Sequence, residues 1–493
     1  TAILFGLFQY IPTFSQNFRN EWIDYSKTYY RFPVAPLVVP GVSANNHHDA
    51  GDYNGVRRIP YSTLQAAGLG SADAEHLQLW RNGKQVPIYV WPETGTLSTG
   101  AFIEFWGEAN DGLEDSVLYR QRSHQQNNRW SLFNDTAFFY LTINPAGPNL
   151  RLINATHDPL NSSVAPTTWI THTVQINHRG SRNLGYSVSI DGKDVRSSSF
   201  DPGEGWGETR TGNSNLQINL SRLYPARTVG QNMSFSFSAM GYTQSSRIIQ
   251  ALLNGVNVGQ KTFSRLNLDS VTTNNINIST IHLTNDSLNI RFQLSASNAS
   301  DRFYIAKSRL TYPRLLQFNK TTSRFKFQLP ASAQPQLLKL VDFDTTQSAN
   351  KFLLDLTNLK RYQAVRQADT LWVELEPSAT ARSLVLYTNQ VTAGKVQEIS
   401  TLTQRQFLNL ALAANQGNYL IISHPDLTND NGTNQIEAYR AYRASSMGGN
   451  FNAKTYLIGE LAEQFAYGIE RSPLSISNFI RYAVANFTDV KHV

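Results

Sequence analysis

Several groups of residues have types and spacings that could do chemistry. His47, His48, Asp49 and Asp52 place two imidazoles and two carboxylates close together, which are zinc-type ligands. A zinc site needs several side chains converging on one ion, and neighbours in a regular element point apart. This stretch therefore reads as a solvated loop. Asp426, Asn429, Asp430, Asn431 and Gly432 are as oxygen-rich as a calcium loop. With Gly432 at the sixth place, the first place is Leu427 and the twelfth is Ala438, where acidic ligands are required. The register fails, and a polar turn is the better reading. Gly203-Glu204-Gly205-Trp206-Gly207 has the glycine density of a phosphate cradle. A nucleotide fingerprint needs a strand before it and a helix after it. Neither is predicted here. The stretch reads as a tight loop with Trp206 packed on a sheet, and a sugar-stacking Trp206 is the alternative. Glu104 and Glu108 could pair for acid–base work, although such carboxylates in β-rich chains are usually solvated.

The sequence has no nucleophile elbow and no zinc-protease helix motif. It also has no cysteine, so disulfides, thiolate metal sites and a cysteine nucleophile are excluded within these residues. No metal, cofactor or catalytic residue is assigned inside the chain.

The elements that would position any site are mostly strands. At about 100–200 residues per domain, 493 residues suggest three or four domains. Hydrophobic residues make up 41% and charged residues 16%, which suits packed cores and excludes a disordered chain. The net charge is +7, but Lys and Arg are scattered. That reads as a solvated basic surface, with no nucleic acid as partner. Thr1 to Phe8 is apolar and leads to Pro12 and Phe14-Ser15-Gln16, as in the h-region and cleavage end of an export signal. Residues 1–16 are expected to be a partial signal peptide, with a buried first strand as the alternative. No other stretch approaches the roughly 20 apolar residues of a membrane span.

Residues 17–160 read as an N-terminal β-rich domain. Leu77-Gln78-Leu79-Trp80 and Gln85 to Val90 flank Asn82-Gly83, a strong hairpin signal. Ser62 to Ala67 is the one expected helix there. Residues 155–168 carry two prolines among Asn, Ser and Thr and read as a linker. Residues 166–314 read as a β-sandwich, with a clear hairpin turning at Asp191-Gly192. Residues 315–400 read as a small β-domain. From 401 to 493 the grammar changes. Tyr419 to Ser423 and Lys454 to Ile458 are short apolar runs, as in strands buried on both faces. Ile436 to Ser446 and the stretch after Pro473 fit helices. Val490 to Val493 looks like a third strand. The expected fold class is multi-domain and mainly β, followed by the incomplete start of an α/β domain with a parallel sheet.

Tyr419-Leu420-Ile421-Ile422-Ser423-His424-Pro425 resembles the first core strand of the gingipain family of cysteine peptidases. Glu463-Gln464-Phe465-Ala466-Tyr467-Gly468 and Pro473 to Ala483 are also similar to that family. The earlier residues resemble its PorU-like branch, the type IX secretion sortases. The motifs are Trp22-Ile23-Asp24-Tyr25, Ile59-Pro60-Tyr61-Ser62, Leu79-Trp80-Arg81-Asn82-Gly83, Ile103-Glu104-Phe105-Trp106-Gly107 and Asp201-Pro202-Gly203-Glu204-Gly205-Trp206. Their order along one chain carries the resemblance. The segment between Val34 and Gly55 departs from it as an insertion.

The resemblance implies a caspase-like α/β domain with a His–Cys dyad, in which the thiolate attacks and the imidazole moves the proton. It implies that both dyad residues lie beyond Val493. His424 ends the first core strand, whereas the family's catalytic histidine belongs to a later one. The expectation is therefore the N-terminal portion of a secreted peptidase or sortase of the type IX secretion system, inactive by itself. Its partners would be exported proteins and outer-membrane secretion components. It would lie peripheral to the outer membrane, at the bacterial cell surface. The alternative is a non-catalytic adhesin or glycan-binding protein built from the β-domains.

Overall fold

The computed structural model describes residues 17–37, 53–197, 199–211, 214–227, 232–241, 243–283, 286–296, 301–392, 394–427 and 432–493. The expected export signal at 1–16, the His47, His48, Asp49 and Asp52 group, and Asn429 to Asn431 lie outside the described residues. The chain is mainly β and divides into two compact units. The larger comprises Thr28–Arg81 and Gln85–Arg405. The smaller comprises residues up to Lys27, Asn82–Lys84 and Gln406–Val493.

The larger unit has three β parts. In the first, one sheet runs Thr403–Arg405, Tyr29–Val34, Ala137–Ile143 and Leu77–Arg81. The facing sheet runs Gln397–Glu398, Gly55–Pro60, Phe102–Gly107 and Ile88–Trp91. Phe32, Phe105 and Phe139 fill the space between them. The hairpin signal at Asn82-Gly83 is a turn with φ of 48° and 69°, the positive values a type I′ turn requires. The expected helix is α1, Tyr61–Ala66.

The second part is a sandwich. Its first sheet is built on β1 (Trp169–Asn177), β2 (Asn232–Gly241) and β3 (Arg302–Leu315). Both β1 and β2 pair antiparallel with β3. The second sheet runs Leu216–Leu220, Leu288–Ala296, Ser246–Leu253 and Val256–Ser264. Alternation decides the faces. Met233, Phe235 and Phe237 of β2 point into the core with Leu310 and Tyr312 of β3. Ser234, Ser236 and Ser238 point out, opposite Thr311, Arg309 and Lys307. A one-residue irregularity follows: Ser238 pairs with Lys307 but Ala239 pairs with Ile305, leaving Ala306 extra. One end of the sandwich is closed by Arg247, whose Nε donates to Asp301 at 2.7 Å with both side chains fully buried.

The third part packs two sheets around Leu338, Leu340, Val373 and Leu386. One runs Arg324–Leu329, Arg382–Thr388, Lys351–Asp355, Lys360–Gln363 and Ile153–Asn154. The other runs Val365–Gln367, Thr370–Leu375, Gln336–Val341 and Pro166–Thr167. The expected linker is thus strapped at both ends, since Ile153–Asn154 and Pro166–Thr167 add as parallel edge strands.

In the smaller unit, β4 (Tyr419–Ser423) and β5 (Ala453–Leu457) pair in parallel. Helix α2 (Gln435–Ala444) connects them, with Asn434 Oδ1 capping its start through the Glu437 N–H. Helix α3 (Ile458–Phe465) follows β5 directly, and α4 (Leu474–Asn486) follows Pro473. His492 bridges to Tyr419 in parallel, where the third strand was expected. Leu420, Tyr456, Leu461, Phe465, Phe479 and Ala483 form the core. Phe18 to Lys27, grouped by the sequence with the first β-domain, belong here. Phe18 meets Tyr482 edge-on at 5.4 Å, and Trp22 meets Phe407 at 5.7 Å.

Candidate functional site

In parallel α/β sheets, ligands gather at the carboxyl ends of the strands. His424 follows the carboxyl end of β4. Its side chain is 55% exposed. Its Nδ1 accepts from the Asp426 N–H at 3.2 Å and lies 3.4 Å from the Asp426 carboxylate, which is itself in water. A catalytic imidazole needs a nucleophile in reach and a partner that fixes its orientation. The structure gives His424 only a turn that ends the strand.

The two carboxylates flagged in the sequence are structural. Glu104 is buried, contrary to the solvated expectation, because its strand is covered on both faces: Ile103 and Phe105 on one, Phe102 and Trp106 on the other. Its Oε1 accepts from Arg58 at 2.6 and 3.1 Å, and Oε2 accepts from the Tyr387 hydroxyl at 3.0 Å. Glu108 accepts from Lys326 at 2.8 Å and from the Trp106 indole at 2.9 Å. Burial alone would raise its pKa, but the charges of Lys326 and Arg81 prevail and hold it down to about 2. It has no proton to give at neutral pH. These groups tie the first β part to the third.

The glycine-rich stretch is a strand entrance and holds no phosphate geometry. Gly205 has φ of 125°, and a Cβ at Gly207 would fall 2.2 Å from the Tyr304 ring, so both positions exclude larger residues. Trp206 donates to the Ser131 carbonyl at 2.8 Å and lies under the Arg179 guanidinium. Asp426 and Gly432 flank the undescribed centre of the oxygen-rich turn.

A recess that the sequence did not reveal opens where all three β parts of the larger unit meet. It holds about 340 Å³. Arg129 comes from the first part, Thr171, Thr173, Gln175 and Arg309 from the sandwich, and Lys326 from the third. A neighbouring recess of about 280 Å³ shares Thr171 and adds Ser234, Asn274 and Thr311. Thr173 and Thr311 bond hydroxyl to hydroxyl at 2.9 Å, and Arg309 donates to Gln175 at 3.0 Å. Lys326 is paired with Glu108, and Arg129 lies 3.8 Å from Asp111. Among the described residues, neither Lys307 nor Arg309 has an ion-pair partner. Burial lowers the Lys307 pKa, and repulsion from Arg309 and Arg129 lowers it further. The only signal in the sequence was the alternation Lys307, Arg309, Thr311 along one strand.

Residues 412–493 match Peptidase family C25. That segment is similar to the gingipain peptidases. The chain also resembles the structure described as dimeric latent PorU from Porphyromonas gingivalis, with a TM-score of 0.54 and 12% identity. The match covers 94% of this chain and 40% of that one, so the chain spans well under half the length of this relative. At this identity the likeness establishes the fold and nothing finer. Two carbohydrate-binding modules are matched at a TM-score of 0.17, too low to support an argument. One is CBM36 in complex with calcium and xylotriose, at 13% identity, covering 29% of this chain and 99% of that one. The other is CBM51 from Clostridium perfringens with methyl-galactose, at 12% identity, covering 28% and 99%. No curated protein matches the chain.

Proposed function

We propose that these residues belong to a gingipain-like cysteine peptidase or sortase of the type IX secretion system, which processes exported proteins at the bacterial surface. The observation that carries this reading is the family match at residues 412–493, falling on the strand–helix–strand order of β4, α2 and β5. The PorU-like course of the rest of the chain supports it. With no cysteine among these 493 residues, this reading requires a nucleophile from outside them. The β parts then act as a scaffold that holds exported cargo and outer-membrane components near the peptidase domain.

The test is to read the source gene past Val493, express its product and replace the candidate cysteine with alanine. Cleavage or transpeptidation of an exported reporter should vanish in that variant. The 493-residue chain alone should show none. Activity from the 493-residue chain, or an active Cys→Ala variant, defeats the reading.

A further inference from the structure

We propose that the recess between β1, β3 and the strand Arg324–Leu329 binds a small hydroxylated organic anion, a sugar acid or a sugar phosphate. Arg309 and Arg129 in the lining take the anionic group, Lys307 beside them adds its charge, and the surrounding hydroxyls and amides take the sugar hydroxyls. This inference does not depend on the peptidase reading.

The first support is electrostatic. The outer face of a half-solvated sheet is ordinarily polar, but with charges of both signs interspersed. Here Lys307 and Arg309 stand two residues apart on the same side of β3, and Arg129 reaches the same place from another part of the chain. Like charges brought together repel, and burial of Lys307 strengthens the effect. The carboxylates on this side, Asp111 and Glu108, are engaged by Arg129 and Lys326. Two cations therefore remain uncompensated, Arg309 in the lining of the recess and Lys307 beside it, and an incoming anion relieves the repulsion.

The second support is the lining. Thr171, Thr173 and Gln175 of β1 face Thr311 and Arg309 of β3, with Ser234 beyond. Short hydroxyls and amides both donate and accept, as sugar hydroxyls do. A protein interface needs an apolar centre, which this lining lacks. The recess volume falls at the low end of small-molecule pockets, about 300–1,000 Å³. Its position where three parts meet is also usual for such sites.

The test is calorimetric titration of the 493-residue chain with glucuronate, glucose 6-phosphate, glucose and inorganic phosphate. Glucuronate, glucose 6-phosphate or both should bind, and more weakly as salt rises past about 0.15 M, where screening reaches about 8 Å. A preference between the two assigns the anionic group to carboxylate or phosphate. The double variant Lys307→Met/Arg309→Gln should lose roughly tenfold or more in affinity. Its melting temperature should not fall, since a repulsion has been removed. Thr173→Val should weaken the sugar anions and leave inorganic phosphate unchanged. The proposal is overturned if neither sugar anion binds, if glucose binds as well as they do, or if inorganic phosphate matches glucose 6-phosphate. Unchanged affinity in the double variant would overturn it equally.

Discussion

The sandwich and the α/β unit bury apolar surface in different ways. The sandwich closes two sheets of four or more strands on each other, and its inward residues on β2 and β3 are almost fully buried. In the α/β unit, α3 and α4 cover one side of a parallel pair well. On the other side α2 buries none of its own residues, and Tyr419, Ile421 and Thr455 stay half-exposed. Parallel strands are ordinarily covered on both faces. The difference teaches that likeness to a catalytic family and structural solidity lie in separate regions here. The segment matched to the peptidase family is the thinner of the two.

That contrast can be broken in order of size. Asp301→Ala should destabilise the larger unit by about 3–5 kcal/mol, because it strands the fully buried Arg247 charge. Calorimetry should show one transition falling while that of the α/β unit holds. Leu461→Ala should cost roughly 2–4 kcal/mol, through loss of packing against Phe479 and its neighbours. Hydrogen exchange in β4 and β5 should speed up, with the sandwich unchanged. A shared loss of protection in either variant would mean that the two units unfold as one.

A pH series sharpens the same comparison. Glu108 is held at about 2 when folded, against an ordinary 4.5. Its contribution to stability is complete above about pH 4.5 and is lost as pH falls towards 2. Because 35% of its side chain reaches solvent, the loss is a screened fraction of the full linkage. Glu108→Gln should flatten the acid slope of the larger unit over that window and leave the slope of the smaller unit alone. The smallest effect belongs to His424→Ala. At an exposed strand end it should stay within about 0.5 kcal/mol, measured by urea unfolding.

Much of this architecture was legible. The turns at Asn82-Gly83 and Asp191-Gly192, the strands β4 and β5 and the helices α2 and α4 carry local signals, and each stands where those signals put it. Helix α3 was missed because Leu457 and Ile458 continue the apolar run of β5, and the change from strand to helix occurs with no turn residue between. Glu104 was expected in water because alternation along its strand says nothing about a second layer on the outer face. The cationic recess was invisible for a related reason. Arg129, Arg309 and Lys326 are far apart in sequence, and only the meeting of three β parts brings them together.

The extra residue at Ala306 separates two sets of positions that can change independently. It resets the alternation of β3, so that Phe303 and Ile305 face the core while Lys307 and Arg309 face out. Point substitutions at 307, 309 and 311 can retune the recess while the core positions between them stay fixed. Without that irregularity, an unbroken alternation from Ile305 would turn Lys307 and Arg309 into the dry interior. The chemistry of the outer face can thus change by point substitution, provided that the strand displaying it keeps its irregularity.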